Sequence, residues 1–185
     1  MAKRGPVLAT LFLVAAAAGP GSVRADPANP LSELVEAAAQ RLQVAESVAA
    51  AKWRTGTAVE DPARVRQQLD ALGAAADAAG LDPGYVTAIF ADQIAATEAL
   101  QYRRFAEWKL DGSAVPVGAP ELAASRDAID ALNQVMLDQI RQRWPVLRAP
   151  ECAALREQAT DVAGRTLDGF YQQALTAATR SYCRP

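Results

Sequence analysis

From residue 31 onward, apolar residues recur three and four positions apart, and proline or glycine breaks the pattern at intervals. Wound at about 100° per residue, Leu34, Ala38, Leu42, Ala45, Val48 and Ala49 fall on one stripe of a helix spanning about 31–54. Glu33, Glu36, Gln40, Gln43 and Ser47 take the opposite face. Asp61-Pro62 supplies a cap and a first-turn proline, so a second helix starts there and runs to about 79, stopping at Gly80. Asp82-Pro83 repeats that start signal and opens a long third helix to about 110. Residues 111–120 read as a loop, and a fourth helix covers about 121–143, with Pro145 near its end. A shorter helix opens near Pro150, and Asp168 begins a last one reaching about 182. No stretch sustains the period-two alternation of a strand. The expected fold is therefore all-α, a single-domain bundle of about six helices.

Several inward stripes carry polar residues. Arg41 and Lys52 are eleven residues apart, close to three turns, and both fall within the apolar stripe of the first helix. In the second helix Val65, Leu69, Leu72 and Ala76 form the stripe, and Arg64 and Gln68 flank its edge. In the third, Gln93, Thr97 and Gln101 lie among Val86, Ile89, Phe90, Ile94, Leu100 and Trp108. Thr97 and Gln101, four apart, stack on one side. In the fourth, Arg126 sits at the margin of Leu122, Ile129, Met136 and Ile140. An unpaired buried cation is expensive, and few acidic residues occupy these stripes, since Glu33, Glu36, Glu46 and Asp70 lie elsewhere. The expected counter-charge is a ligand, which makes the site a cavity for a small dianion. The competing reading is that the cations snorkel to water along apolar faces. Gln93 and Arg104 read as structural, and Trp53, Phe90, Phe105 and Trp108 as core or pocket wall.

Composition narrows the setting. The first residues carry a basic tip (Lys3, Arg4), an apolar run from Val7 to Ala18 and the small-residue ending Val23-Arg24-Ala25. That is the pattern of a secretory signal peptide over residues 1–25, too short in its apolar part to span a bilayer. The mature domain is then residues 26–185, secreted or periplasmic, with no membrane partner after cleavage. Without Lys3, Arg4 and Arg24 it has 16 basic and 21 acidic residues, a net charge of −5. No Lys/Arg-rich run is present, so nucleic acid is not the expected partner. The two cysteines, Cys152 and Cys183, are expected to pair in an oxidising compartment, the alternative being two buried thiols. The chain has no histidine, which excludes His-dependent triads and most zinc sites; no metal and no cofactor is expected.

The segments QRLQVAESVAAAKW, EDPARVRQQL, DPGYVTAIFADQIAATEALQYRRFAEW and SRDAIDALN, with the late cysteine pair and YQQALTAATRSYC, occur in this order. Together they resemble the secreted chorismate mutases, the gamma subclass of the all-helical AroQ type, over nearly the whole mature chain. The resemblance implies chorismate, a dicarboxylate, as substrate, and its concerted [3,3] rearrangement to prephenate. It implies that Arg41 and Arg126 clamp the two carboxylates. Lys52 and Gln101 would donate to the ether oxygen, and Arg64, Gln68 and Thr97 would contact a carboxylate or the ring hydroxyl. It also implies a homodimer. Where this chain has Gln101 the subclass commonly has glutamate, which donates only when protonated, whereas an amide donates at any pH. Two other functions fit a cationic helical pocket: an isochorismate-pyruvate lyase, and a non-catalytic binding protein for an aromatic dicarboxylate.

Overall fold

The computed structural model describes residues 29–112, 115 and 118–183, so the expected signal peptide lies outside the described residues. Those residues contain eight helices and no strand: α1 (Ser32–Gln43), α2 (Ala45–Thr55), α3 (Pro62–Ala78), α4 (Pro83–Leu110), α5 (Leu122–Gln142), α6 (Trp144–Leu147), α7 (Cys152–Gly164) and α8 (Gly169–Ala178).

Local chemistry explains most of the boundaries. Asp61 accepts the Arg64 backbone N–H at 3.1 Å, and Pro62 needs no partner in the first turn of α3. Asp82 caps α4 by accepting from Gly84 (2.8 Å) and Tyr85 (3.2 Å), and Asp168 caps α8 through Phe170 and Tyr171. Gly80 takes φ +72°, the left-handed turn that lets the Leu81 N–H reach back to the Ala76 carbonyl and close α3.

Two boundaries differ from the periodicity. The stretch read as one helix over 31–54 is divided at Val44, whose ψ of −19° tightens a single turn. All six apolar residues of its stripe are nonetheless buried. Pro145 sits in the first turn of α6, where a proline is tolerated; it starts a short helix rather than closing the long one. These two differences raise the expected six helices to eight.

The long α4 is the central element, packed against α1, α2, α3 and α8, while α5 and α7 lie against α1. The main core gathers Leu34, Leu42, Ile89, Phe90, Met136, Ile140 and Leu175. Trp108 anchors a second apolar cluster, and the partly buried Trp53 and Phe105 pack against it, Trp53 meeting Phe105 and Trp108 edge-on at 5.2 and 5.8 Å. Cys152 and Cys183 form the disulfide that joins the start of α7 to the C-terminal segment. Closing a loop of 31 residues' separation stabilises the fold by about 3–4 kcal/mol through the unfolded chain. Tyr182, next to Cys183, is fully buried, and its carbonyl accepts from the Tyr85 hydroxyl.

Candidate active site

A cavity lies between α1, α2, α3, α4 and α5, with about 520 Å³ of empty space including its mouth. Arg41, Lys52, Arg64, Gln68, Thr97, Gln101 and Arg126, the seven polar residues singled out from the helical stripes, all line it. Its apolar walls are Val48, Val59, Val65, Ile94, Leu122 and Ile129.

Arg41 is the deepest of the cations, 2% exposed on α1. Its Nε donates to Asn133 Oδ1 at 2.8 Å, and its Nη1 to Thr97 Oγ1 at 3.2 Å and Gln93 Oε1 at 3.5 Å. All three acceptors are neutral. Burial pushes the guanidinium down to about 10, against the pull of Asp130 and Tyr182. Nη2 donates to no protein group among the described residues, so a charged donor set remains for whatever enters the cavity. Thr97 gives its own hydroxyl hydrogen to the Gln93 carbonyl at 2.7 Å and accepts from Arg41. It is thereby oriented toward Arg41.

Lys52, on the last turn of α2, is buried, and its Nζ donates to the Val59 carbonyl. Burial is the main cause that lowers its pKa, with Arg126 adding to the shift and Asp61 and Glu98 opposing it. An ammonium has three hydrogens, so two more can be directed into the cavity. Gln101, 3% exposed, donates one amide hydrogen to the Thr97 carbonyl at 3.3 Å, and its Oε1 is buried without a partner. The second amide hydrogen is free for a ligand.

The other two cations correct the expectation that a ligand alone supplies the counter-charge. Arg64 Nη2 contacts both oxygens of Asp130, at 2.9 and 2.7 Å, and Arg126 Nη2 contacts Asp61 Oδ2 at 2.8 Å. Both pairs join α3 or its cap to α5, an arrangement visible only once the helices are packed. Glu98 was also missed. It lines the cavity one position after Thr97, and burial first, then Glu60, raises its pKa while Lys52 opposes. The signal was present: Glu98 stands four residues after the buried Ile94 and three before the buried Gln101. Gln93 and Arg104 are structural as expected. Gln93 is buried behind Arg41, and Arg104 bridges Glu46 and Glu107, at 2.6 Å each.

The lining thus holds four cations and two carboxylates, Asp61 and Glu98, a net charge of +2. With Arg41 and Lys52 hydrogen-bonded only to neutral acceptors, the cavity is matched to a small dianion. Hydrogen-bond donors directed at fixed points from five helices can orient such a ligand and stabilise charge that develops on it.

Comparison with known proteins gives a consistent result. Residues 32–102 match the family described as chorismate mutase type II. The chain is 51% identical to the secreted chorismate mutase of Mycobacterium tuberculosis over 176 residues, covering 94% of this chain and 88% of that one. It is 46% identical to the secreted chorismate mutase of Mycolicibacterium smegmatis over 181 residues, covering 96% of this chain and all of that one. The crystal structure of chorismate mutase from Burkholderia thailandensis superposes with a TM-score of 0.78 at 33% identity, covering 84% of this chain and 99% of that chain.

Proposed function

The chain belongs to the family of secreted chorismate mutases, and we propose that the cavity between α1 and α5 is where it rearranges chorismate to prephenate. The enzyme is an isomerase, and it is secreted like the relatives it matches. One observation carries the assignment of the site: seven polar residues from five helices converge on one cavity of net charge +2, and its most buried cation has only neutral partners.

The rearrangement occurs within one molecule and needs no nucleophile, so the protein's task is to select a conformer and stabilise charge. Arg41 and Arg126 grip the two carboxylates, because guanidinium–carboxylate pairs are directional and can be bidentate. Held at both ends, the enolpyruvyl arm lies over the ring in the compact geometry from which the new carbon–carbon bond forms as the ether bond breaks. The breaking bond gathers negative charge on the ether oxygen. Lys52 Nζ and Gln101 Nε2 donate there, and they stabilise the transition state more than the substrate because that charge grows along the reaction. Arg64 and Gln68 contact a carboxylate or the ring hydroxyl, and Thr97 acts largely by holding Arg41.

Cleavage of a signal peptide after Ala25 and assembly as a homodimer belong to the same proposal. The N-terminal mass of the exported protein and its sedimentation test them. The activity is tested on residues 26–185 by following chorismate loss and prephenate appearance, with Lys52→Ala in parallel. Prephenate from the wild type and almost none from the variant is the expected result. Chorismate that survives yet raises the melting temperature would leave a binding protein; pyruvate formed from isochorismate in preference would indicate a lyase.

A further inference from the structure

Helix α5 contributes more than Arg126 to the site. Asp130 and Asn133 follow it at four and seven residues, on the same face of the helix. Asn133 accepts from Arg41, and Asp130 accepts from both Arg64 and Gln68. We propose that Asp130 is a positioning residue for the reaction: it does not line the cavity but holds Arg64 and Gln68 in the orientation that receives substrate. The inference rests on the chorismate mutase reading above.

The geometry is specific. Both Asp130 oxygens hold one terminal nitrogen of Arg64, at 2.9 and 2.7 Å, and Gln67 Oε1 takes the other at 3.2 Å. Arg64 Nε is left buried and without a partner, in a side chain that lines the cavity. Gln68, one turn after Arg64 on α3, donates to Asp130 Oδ1 at 3.2 Å. Arginine and glutamine are among the side chains with most rotamer freedom. A single carboxylate from α5 thus restrains two flexible donors of α3 at once, and substrate binding then orders less.

Two opposite consequences compete, and they separate by sign. If Asp130 acts only as an anion near a cationic pocket, it opposes the dianion, and removing it lowers KM. If it positions Arg64 and Gln68, removing it raises KM. The Asp130 side chain is half exposed, and an ion pair in that setting contributes little to stability, so variants should fold.

The test is a double-mutant cycle on kcat and KM for chorismate. Asp130→Ala is expected to raise KM about tenfold with a smaller change in kcat, because the two donors grip ground and transition states alike. In an Arg64→Ala background the same change should cost no more than about twofold. Asp130→Asn, which keeps an acceptor but loses the charge, should fall between wild type and Asp130→Ala. Melting temperatures should stay close to the wild type. A KM that is unchanged or lower in Asp130→Ala, or an equal penalty in both backgrounds, would overturn the inference while leaving the enzyme assignment intact. A wild-type protein that does not turn over chorismate would overturn both.

Discussion

Replacing Gln101 by glutamate isolates the donor at the ether oxygen. The wild-type amide can donate at any pH. Between the titration of Glu98, raised by burial, and that of Lys52, lowered by it, the wild-type rate should therefore be flat. A glutamate at this position donates only as the neutral acid. Position 101 is 3% exposed, so burial would hold the new carboxyl above the usual carboxylate range, and Glu98 would push the same way; Lys52 and Arg126, on the same cavity wall, would oppose. Below its pKa the variant should work nearly as well as the wild type, the acid hydroxyl replacing one N–H. Above it, each pH unit removes a factor of about ten, until the residual activity of the ionised form sets the rate. The floor is set by losing one donor at a developing negative charge, about 3–4 kcal/mol or a factor of roughly 10²–10³. The limb should thus extend over about two to three pH units. The assay is kcat at saturating chorismate for both proteins across the mildly acidic to mildly alkaline range. Superimposable profiles, or a variant whose rate rises with pH, would remove Gln101 from the mechanism.

Lys52→Met should abolish most activity without lowering the melting temperature, because burial already disfavours the charged form in the folded state; a large drop on differential scanning calorimetry would refute that. In the wild type the same depressed pKa sets two opposite alkaline trends. Activity falls as pH rises through the folded-state pKa of Lys52, whereas its contribution to stability rises between that value and 10.5, since the unfolded chain there binds the extra proton. Parallel pH scans of rate and of unfolding free energy check this. Arg41→Lys keeps the charge but loses the directed bonds to Asn133 and Thr97; kcat/KM should fall roughly 10–100-fold, and a fall under threefold would show that charge alone suffices. The double variant Cys152→Ser/Cys183→Ser should be less stable by about 3–4 kcal/mol in urea, with kcat of the folded protein little changed, because the disulfide lies outside the cavity.

Much of this protein could be read along the chain because helices are governed by near neighbours. Asp61-Pro62, Asp82-Pro83 and Asp168 start helices, and Gly80 ends one, through contacts reaching no more than five residues. The same periodicity that marks Leu34, Leu42 and Ile89 as core marks Arg41, Lys52, Thr97 and Gln101 as inward, and the inward direction of a polar side chain is itself a functional signal. The turn at Val44 and the helix beginning at Trp144 were not legible, since neither interrupts the hydrophobic pattern.

Which inward charges have partners is a different kind of property. Arg64 meets Asp130 across 66 residues and Arg126 meets Asp61 across 65, while Arg41, no less cationic, ends with neutral acceptors only. Periodicity assigns a residue to a face of its own helix, but it carries no information about which face of which other helix packs opposite. That depends on the packing of α3 and α4 and on how α1 and α2 meet α5, which many distant apolar contacts decide together. The presence of a cationic interior was therefore written in the local pattern; the division of its charges into paired and unpaired, and with it the placement of Asp130 beside Arg64, arose only from the packed bundle.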